Sequence, residues 1–225
     1  MTTWLVTGAS RGIGLEMVRQ LHARGDTVIA TARKPDAAGA LRELRGVRVL
    51  PLDVTDTASA RHLRELLGDA PIDVLVNNAG IGGRGRTIAE VDIDAARNVL
   101  EVNTLGPLRV TQALLPNLRA GHAKKLAHIT SLMGSIADNG SGGAYAYRAS
   151  KAALNMVNKN LSLELGPDGF TCVVLNPGWV RTDMGGKQAT LPVDESVRGL
   201  INVIDHLAPA DNGTFINHDG RRLPW

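Results

Sequence analysis

The sequence predicts a single α/β domain over residues 1–225: a doubly wound parallel sheet of about seven strands with helices on both faces. Short aliphatic runs alternate with amphipathic helical patterns along the whole chain. The 225 residues are 44% apolar but only 3% aromatic, so the core must be built from Val, Leu, Ile and Ala, a composition that suits this fold better than a β-sandwich. The first strand also runs into a glycine-rich turn that opens a helix.

The elements follow in order. "TWLVTG" reads as a strand ending in glycine, and "GLEMVRQLHARG" as an amphipathic helix closed by Gly25. "TVIATA" is a strand and "DAAGALREL" a weaker helix. "VRVLPLDV" is a strand, "ASARHLRELLG" a helix, and "IDVLVNNAG" a strand running into a turn. One helical pattern spans 87–101 and a second 104–119, with Pro107 in its first turns. "KKLAHITS" is the next strand, and a long helix covers Tyr145 to Leu165. "TCVVLNPG", "DESVRGLINVIDHL" and "GTFIN" give strand, helix and a last short strand. Runs such as "VLVN" and "CVVLN" are aliphatic throughout, as strands covered on both faces require. No linker or internal repeat divides the chain.

Composition narrows the function. The net charge is +3, and the basic residues are spread without a run of like charge, which argues against a nucleic-acid partner and suits anionic small molecules. The single cysteine, Cys172, excludes an internal disulfide and reads as a buried strand residue. The six histidines lack metal-ligand spacing, so no metal is expected. Neither a signal peptide nor a membrane span is visible, and a cytoplasmic protein is expected.

"TGASRGIG" places Gly8, Gly12 and Gly14 between strand and helix, with Ser10, Arg11 and Ile13 among them. Glycine allows the tight turn and lets backbone approach a pyrophosphate, while the helix start offers free N–H groups. This is the dinucleotide turn of a Rossmann-type sheet. An acid at the end of the second strand would bind the ribose 2′-hydroxyl of NAD; here Ala32 stands in its place, followed by Arg33 and Lys34. Arg11 and Arg33 converging on a 2′-phosphate favour NADP (NADPH) over NAD. The basic stretch "GGRGR" at 82–86 reads as a solvated connection rather than an anion loop.

Four motifs stand in order: "TGASRGIG", "NNAG" at 77–80, "YRASK" at 147–151 and "NPGWVRTD" at 176–183. With them the chain resembles the short-chain dehydrogenase/reductase family over essentially its whole length. "GSIADNGSGGAYAYRASKAAL" also resembles the sniffer or C-signal type of carbonyl reductase within it. The resemblance implies that Asp53 and Val54 meet the adenine, and that Asn78, Ala79 and Gly80 wall the adenine-ribose half. It implies that Asn103 positions a water in a proton relay. Pro177, Gly178, Val180 and Thr182 would line the nicotinamide. Family members commonly pair through helices that here are 104–119 and 145–165, implying a homodimer or homotetramer.

The chemistry centres on Tyr147 and Lys151, one helical turn apart. A phenol titrates near about 10, and an adjacent ammonium together with an oxidised nicotinamide ring favours the phenolate and lowers that value. Tyr147 is then general acid in reduction and base in oxidation, and Lys151 also holds the nicotinamide ribose. Tyr145, the other tyrosine, has Ala149 four residues on and reads as a wall or packing residue. A hydroxyl must stabilise the charge developing on the substrate oxygen. Ser131, at a strand end in an S-x-x-G setting, is preferred; Ser135 is the alternative, and Ser141 and Ser150 read as structural. Met133, Trp179 and Met184 offer apolar walls beside a short loop, "MGGKQATLP", so a small apolar aldehyde, ketone or diketone, or the corresponding alcohol, is the expected substrate. The alternatives are a 3-oxoacyl thioester reductase or alcohol dehydrogenase of the same family, and a non-catalytic NADP-sensing or signalling protein.

Overall fold

The computed structural model describes residues 1–225 except Arg84 and Arg86, so the basic stretch at 82–86 lies partly outside the described residues. The strands are Thr3–Val6 (β1), Thr27–Ala32 (β2), Arg48–Pro51 (β3), Val74–Asn77 (β4), Lys125–Ile129 (β5), Thr171–Asn176 (β6) and Thr214–Asn217 (β7). All pair in parallel, in the order β3-β2-β1-β4-β5-β6-β7. The order reverses between β1 and β4, where Leu5 sits in register with both Ile29 and Leu75. That reversal opens a crevice at the carboxyl ends of the strands. The aliphatic runs in β4 and β6 are buried along their whole length, as expected.

Helices Gly12–Ala23 (α1), Gly39–Arg42 (α2) and Val193–Asp205 (α7) cover one face, burying Met17, Val18, Leu21, Leu41 and Leu200. Thr57–Leu67 (α3), Gly106–Ala120 (α5) and Tyr145–Leu165 (α6) cover the other, burying Leu63, Leu114, Leu118 and Leu161 with Cys172. Removing one of these leucines by Leu→Ala costs about 2–5 kcal/mol. Burial pushes the Cys172 thiol up to about 12, so it behaves as a core residue. No described helix is long and apolar enough to cross a membrane.

Two stretches differ from the sequence expectation. "DAAGALREL" forms only part of a 3-10 turn at Pro35–Ala37 and the four-residue α2, with Gly39, a poor helix former, between them. The helices expected over 87–101 and 104–119 are instead a short 3-10 turn at Ile88–Glu90 and one continuous rod. That rod starts at Ile93 as α4 (Ile93–Leu100), where Asp92 caps the backbone N–H groups of Asp94 and Ala95. A π turn at Glu101–Leu105 then joins α4 to α5 and carries Asn103 and Thr104 into the interior. A π turn adds a residue to one helical turn without disturbing the flanking periodicity, so the pattern hides it. Pro107 contributes at the same place: it has no N–H to give the Asn103 carbonyl its usual i+4 bond.

Beneath the crevice, His128 on β5 is fully buried. The Asn77 amide donates to Thr111 Oγ1 at 3.2 Å and lies 3.2 Å from His128 Nδ1. Thr111 spends its own proton on the Pro107 carbonyl, so Asn77 must donate to both, and His128 Nδ1 is an acceptor on a neutral ring. Burial holds its pKa down to about 3, against about 6.5 for a free imidazole. The unfolded chain therefore binds the extra proton first as pH falls, and stability is lost between about pH 6.5 and 3. Between pH 7 and pH 4 this one group should remove about 3 kcal/mol. Urea unfolding of His128→Asn should show a correspondingly smaller acid loss than the wild-type protein; equal losses would mean that His128 is not buried neutral.

Candidate active site

The crevice between β1 and β4 is lined by two turns that touch. Gly8 has φ +64°, and a Cβ there would lie 2.7 Å from Ala79 Cα. A Cβ on Gly14 would lie 2.5 Å from Asn78 Nδ2. The Asn78 amide donates to the carbonyls of Thr7 and Gly8, at 2.9 and 3.2 Å. Thr7 Oγ1 accepts the backbone N–H groups of Asn78 and Ala79. At the start of α1, Arg11 is extended and supplies no side-chain cap, so the first helical N–H groups face the crevice without one. Ser10 is exposed and Ile13 half-buried on this turn.

Arg11 is exposed on the same turn. Its guanidinium pairs with Asp183 at 3.2 Å, on the loop after β6. That loop lies close because Thr182 packs over the turn: a Cβ on Gly12 would be 3.4 Å from Thr182 Cγ2. Arg33 is exposed at the end of β2, within electrostatic range of Asp53. Asp53 Oδ1 accepts from the backbone N–H and hydroxyl of Thr55, and these bonds hold the carboxyl below its ordinary value. Val54 is buried against Gly106.

Tyr147 and Lys151 project from the first turns of α6 toward the end of β5. The Lys151 ammonium is buried and donates to the Ile129 carbonyl at 2.8 Å; it lies 5.7 Å from the Tyr147 ring centroid. Burial pushes this ammonium down to about 8. The Ser131 hydroxyl stands near enough to the Tyr147 phenol to favour its ionised form, and it accepts the Met133 N–H at 3.2 Å. The expectation that the lysine lowers the phenol pKa is not met in the protein alone. Burial raises the Tyr147 phenol, and the Ser131 hydroxyl opposes that shift only in part. One of the three ammonium protons is spent on the Ile129 backbone carbonyl.

Asn103 is fully buried with both amide protons used, one on the Ile81 carbonyl at 2.9 Å and one on Ser150 Oγ at 3.0 Å. Its Oδ1 accepts the Ile81 N–H at 2.8 Å. The side chain thus pins the segment following Gly80 to α6, and a Cβ on Gly80 would approach both Asn103 Oδ1 and Lys151 Nζ. Ser135, the alternative serine, is buried elsewhere: its hydroxyl donates to the Trp225 carbonyl at 3.1 Å. Ser141 accepts from Arg148, and Ser150 donates to the Tyr147 carbonyl.

The last wall follows β6. Pro177 is buried, with its carbonyl bonded by Ser196, and Gly178 turns the chain at φ +82°. Val180 bridges to Leu191 and closes a short loop. Trp179 is exposed, its indole donating to Gly185 O. Met184 reaches Gly82, whose neighbour Gly83 packs on Tyr147. Met133 sits instead in a groove with Arg148, Ala149 and Ala152. Sequence reasoning missed Asn176: its Oδ1 accepts the Leu132 N–H at 3.0 Å and its amide donates to Asn217. It steadies the residue after Ser131, and a polar residue ending the aliphatic run Val173–Leu175 was the available signal.

The family model for short chain dehydrogenases matches residues 2–191. The chain belongs to this family. It is 53% identical to C-signal of Myxococcus xanthus over 155 residues, which is 69% of this chain and 93% of the relative. The structure of the carbonyl reductase Sniffer of D. melanogaster superposes with a TM-score of 0.94 at 34% identity over all of both chains. An NADPH-bound carbonyl reductase from chicken fatty liver superposes with a TM-score of 0.92 at 37% identity, over 100% of this chain and 99% of that one. The fold is thus that of a family of oxidoreductases acting on carbonyl and alcohol groups.

The chain has only two tyrosines, so Tyr145→Phe leaves Tyr147 as the one phenol. Its tyrosinate absorbance should titrate above the ordinary value of about 10. Ser131→Ala in the same background should raise the midpoint further, since the hydroxyl that favours the phenolate is lost. An unmoved midpoint would show that the two side chains do not interact.

Proposed function

We propose that the protein is an NADPH-dependent reductase of small, apolar aldehydes, ketones or diketones. The observation that carries this is Ser131 close beside Tyr147 with Lys151 one turn on, standing beside a glycine turn at the sheet's switch point. The residues fit a phosphorylated dinucleotide. Gly8, Gly12 and Gly14 leave backbone bare where side chains would block it, α1 presents its N-terminus, and Arg33 is exposed where a 2′-phosphate would fall. Asp53 and Val54 would bound the adenine, with Asn78, Ala79 and Gly80 along the ribose. Pro177, Gly178, Val180 and Thr182 would face the nicotinamide. When bound, the cofactor supplies the hydride.

The protein's own residues handle the oxygen and its proton. Ser131 and Tyr147 hold the substrate carbonyl between two hydroxyls and stabilise the charge that develops there. Tyr147 Oη delivers the proton. A phenol held up by burial is protonated at neutral pH and ready to act as the acid. Lys151 would orient the ribose and supply positive charge near the phenol once tyrosinate forms. Asn103 works by position: its amide is spent on Ile81 and Ser150, so a relay water would be held by its backbone carbonyl, which Pro107 leaves without the usual partner. Trp179 and Met184 give an open, apolar mouth.

A second reading, a signalling protein without turnover, is favoured by one observation, the 53% identity to a relative named C-signal. NADPH oxidation with aldehydes, diketones and acyl thioesters separates the two: binding of NADPH without turnover of any carbonyl would favour signalling. Tyr147→Phe should lower kcat about a thousandfold or more with cofactor affinity nearly unchanged, while Tyr145→Phe stays within about threefold. Comparable losses from both would sink the assignment of Tyr147. Arg33→Ala should weaken NADPH binding about tenfold and leave NADH binding unaffected; equal effects on both would place the 2′-phosphate elsewhere.

A further inference from the structure

We infer that Arg148 is a positioning residue, whose guanidinium locks the start of α6, and with it Tyr147, against the turn that carries Ser131. The inference rests on the reading of Ser131 and Tyr147 as the groups that hold the substrate oxygen. The two come from different elements. Ser131 caps a 3-10 turn at Leu132–Gly134 that follows β5; Tyr147 stands on α6, and a polar, glycine-rich loop separates them. The last leg of that loop is unfavourable. Gly142, Gly143 and Ala144 are all left-handed, with φ of +62°, +67° and +45°, and a side chain at Ala144 makes that conformation strained. Helix α6 begins directly after it with no side-chain cap. A local bond, from the Gly142 N–H to Asn139 Oδ1 at 3.0 Å, steadies this leg but does not tie it to the serine turn.

Arg148 does. Its Nε donates to the Gly142 carbonyl at 3.1 Å and its Nη2 to Ser141 Oγ at 2.8 Å, gripping the loop just before the strained residue. Its Nη1 donates to the Met133 carbonyl at 3.4 Å, inside the serine turn. Its own N–H makes the first helical bond, to Ala144 O at 2.9 Å. One planar fork therefore joins both ends of the loop to the residue next to Tyr147, a geometry that a lysine's point charge does not reproduce. Other restraints also hold the turn: Asn155, further along α6, donates to the Gly134 carbonyl, and Asn176 accepts from Leu132. Neither reaches Ser141 or Gly142. Arg148 faces the groove beside Met133 and acts through Ser131 and Tyr147 rather than on the substrate.

The test has two arms. In the first, Arg148→Met should lower kcat for a reduced carbonyl about tenfold or more with NADPH affinity and Tm nearly unchanged. Arg148→Lys should recover part of the loss, and Ser131→Ala combined with Arg148→Met should cost little beyond Ser131→Ala alone. In the second, the Tyr147 phenol is titrated in the Tyr145→Phe background without any turnover. Ser131→Ala should raise the midpoint when Arg148 is present, and by less than half as much after Arg148→Met, because the hydroxyl pair is then already parted. A full shift in both backgrounds, or additive losses in kcat, overturns the inference. If the wild-type protein reduces no carbonyl, the functional reading fails and the titration alone decides Arg148. If Arg148→Met does not fold, Arg148→Lys carries the same comparison, since it cannot span Met133 and Ser141 together.

Discussion

Two strand ends touch because residue 8 has no side chain, and the rest of the site hangs on that contact. With a Cβ there, Ala79 would have to move, and with it the turn that Asn78 ties to Thr7 and Gly8. Each such buried bond contributes only about 1 kcal/mol net, but a partner left unmade costs more. The contact sets the position of Gly80, which lies against Asn103 and Lys151. The glycine turn that would receive phosphate and the lysine beside the phenol are thereby held at a fixed separation. A doubly wound sheet offers that place only at its switch point, where neighbouring strands run to opposite sides.

Around this joint the protein accepts an unusual amount of buried polarity. Lys151, Asn155, Asn158 and Ser162 lie at helical spacing on the buried face of α6, where an ordinary amphipathic helix would carry leucine. Each has a bond that justifies it: Lys151 to Ile129 O, Asn155 to Thr130 and Gly134, Asn158 to Cys172 O, and Ser162 to Lys159 O. Burial still depresses the lysine to about 8 and raises the phenol next to it. Both shifts favour the neutral forms, so the site stores unfavourable charge at a place where a substrate oxygen and a charged cofactor would bring new charge. Stability given up in a site for its chemistry is a common trade.

Much of this was legible in advance. The strand and helix order follows from hydrophobic period, and α6 runs from Tyr145 to Leu165 as the pattern indicates. The join between α4 and α5 was not, because a π turn leaves the period on either side intact. Arg11 and Arg33 look equivalent as basic residues near the glycines, yet Arg11 pairs with Asp183, far along the chain, while Arg33 lies within electrostatic range of Asp53. The preference for Ser131 over Ser135 rested on strand position, and the two hydroxyls are in fact separated by what they touch: one meets Tyr147, the other the Trp225 carbonyl.

The sequence by itself determined the α/β order, the bare backbone of the glycine turn and the one-turn spacing of Tyr147 and Lys151. Those depend on periodicity and on the conformational freedom of single residues, which are local properties. Only the tertiary structure decided which serine faces the phenol, where Arg11 and Arg148 point, what the Lys151 ammonium bonds, and in which direction the phenol titrates. Those depend on groups drawn from distant parts of the chain and on how much water each loses when they meet.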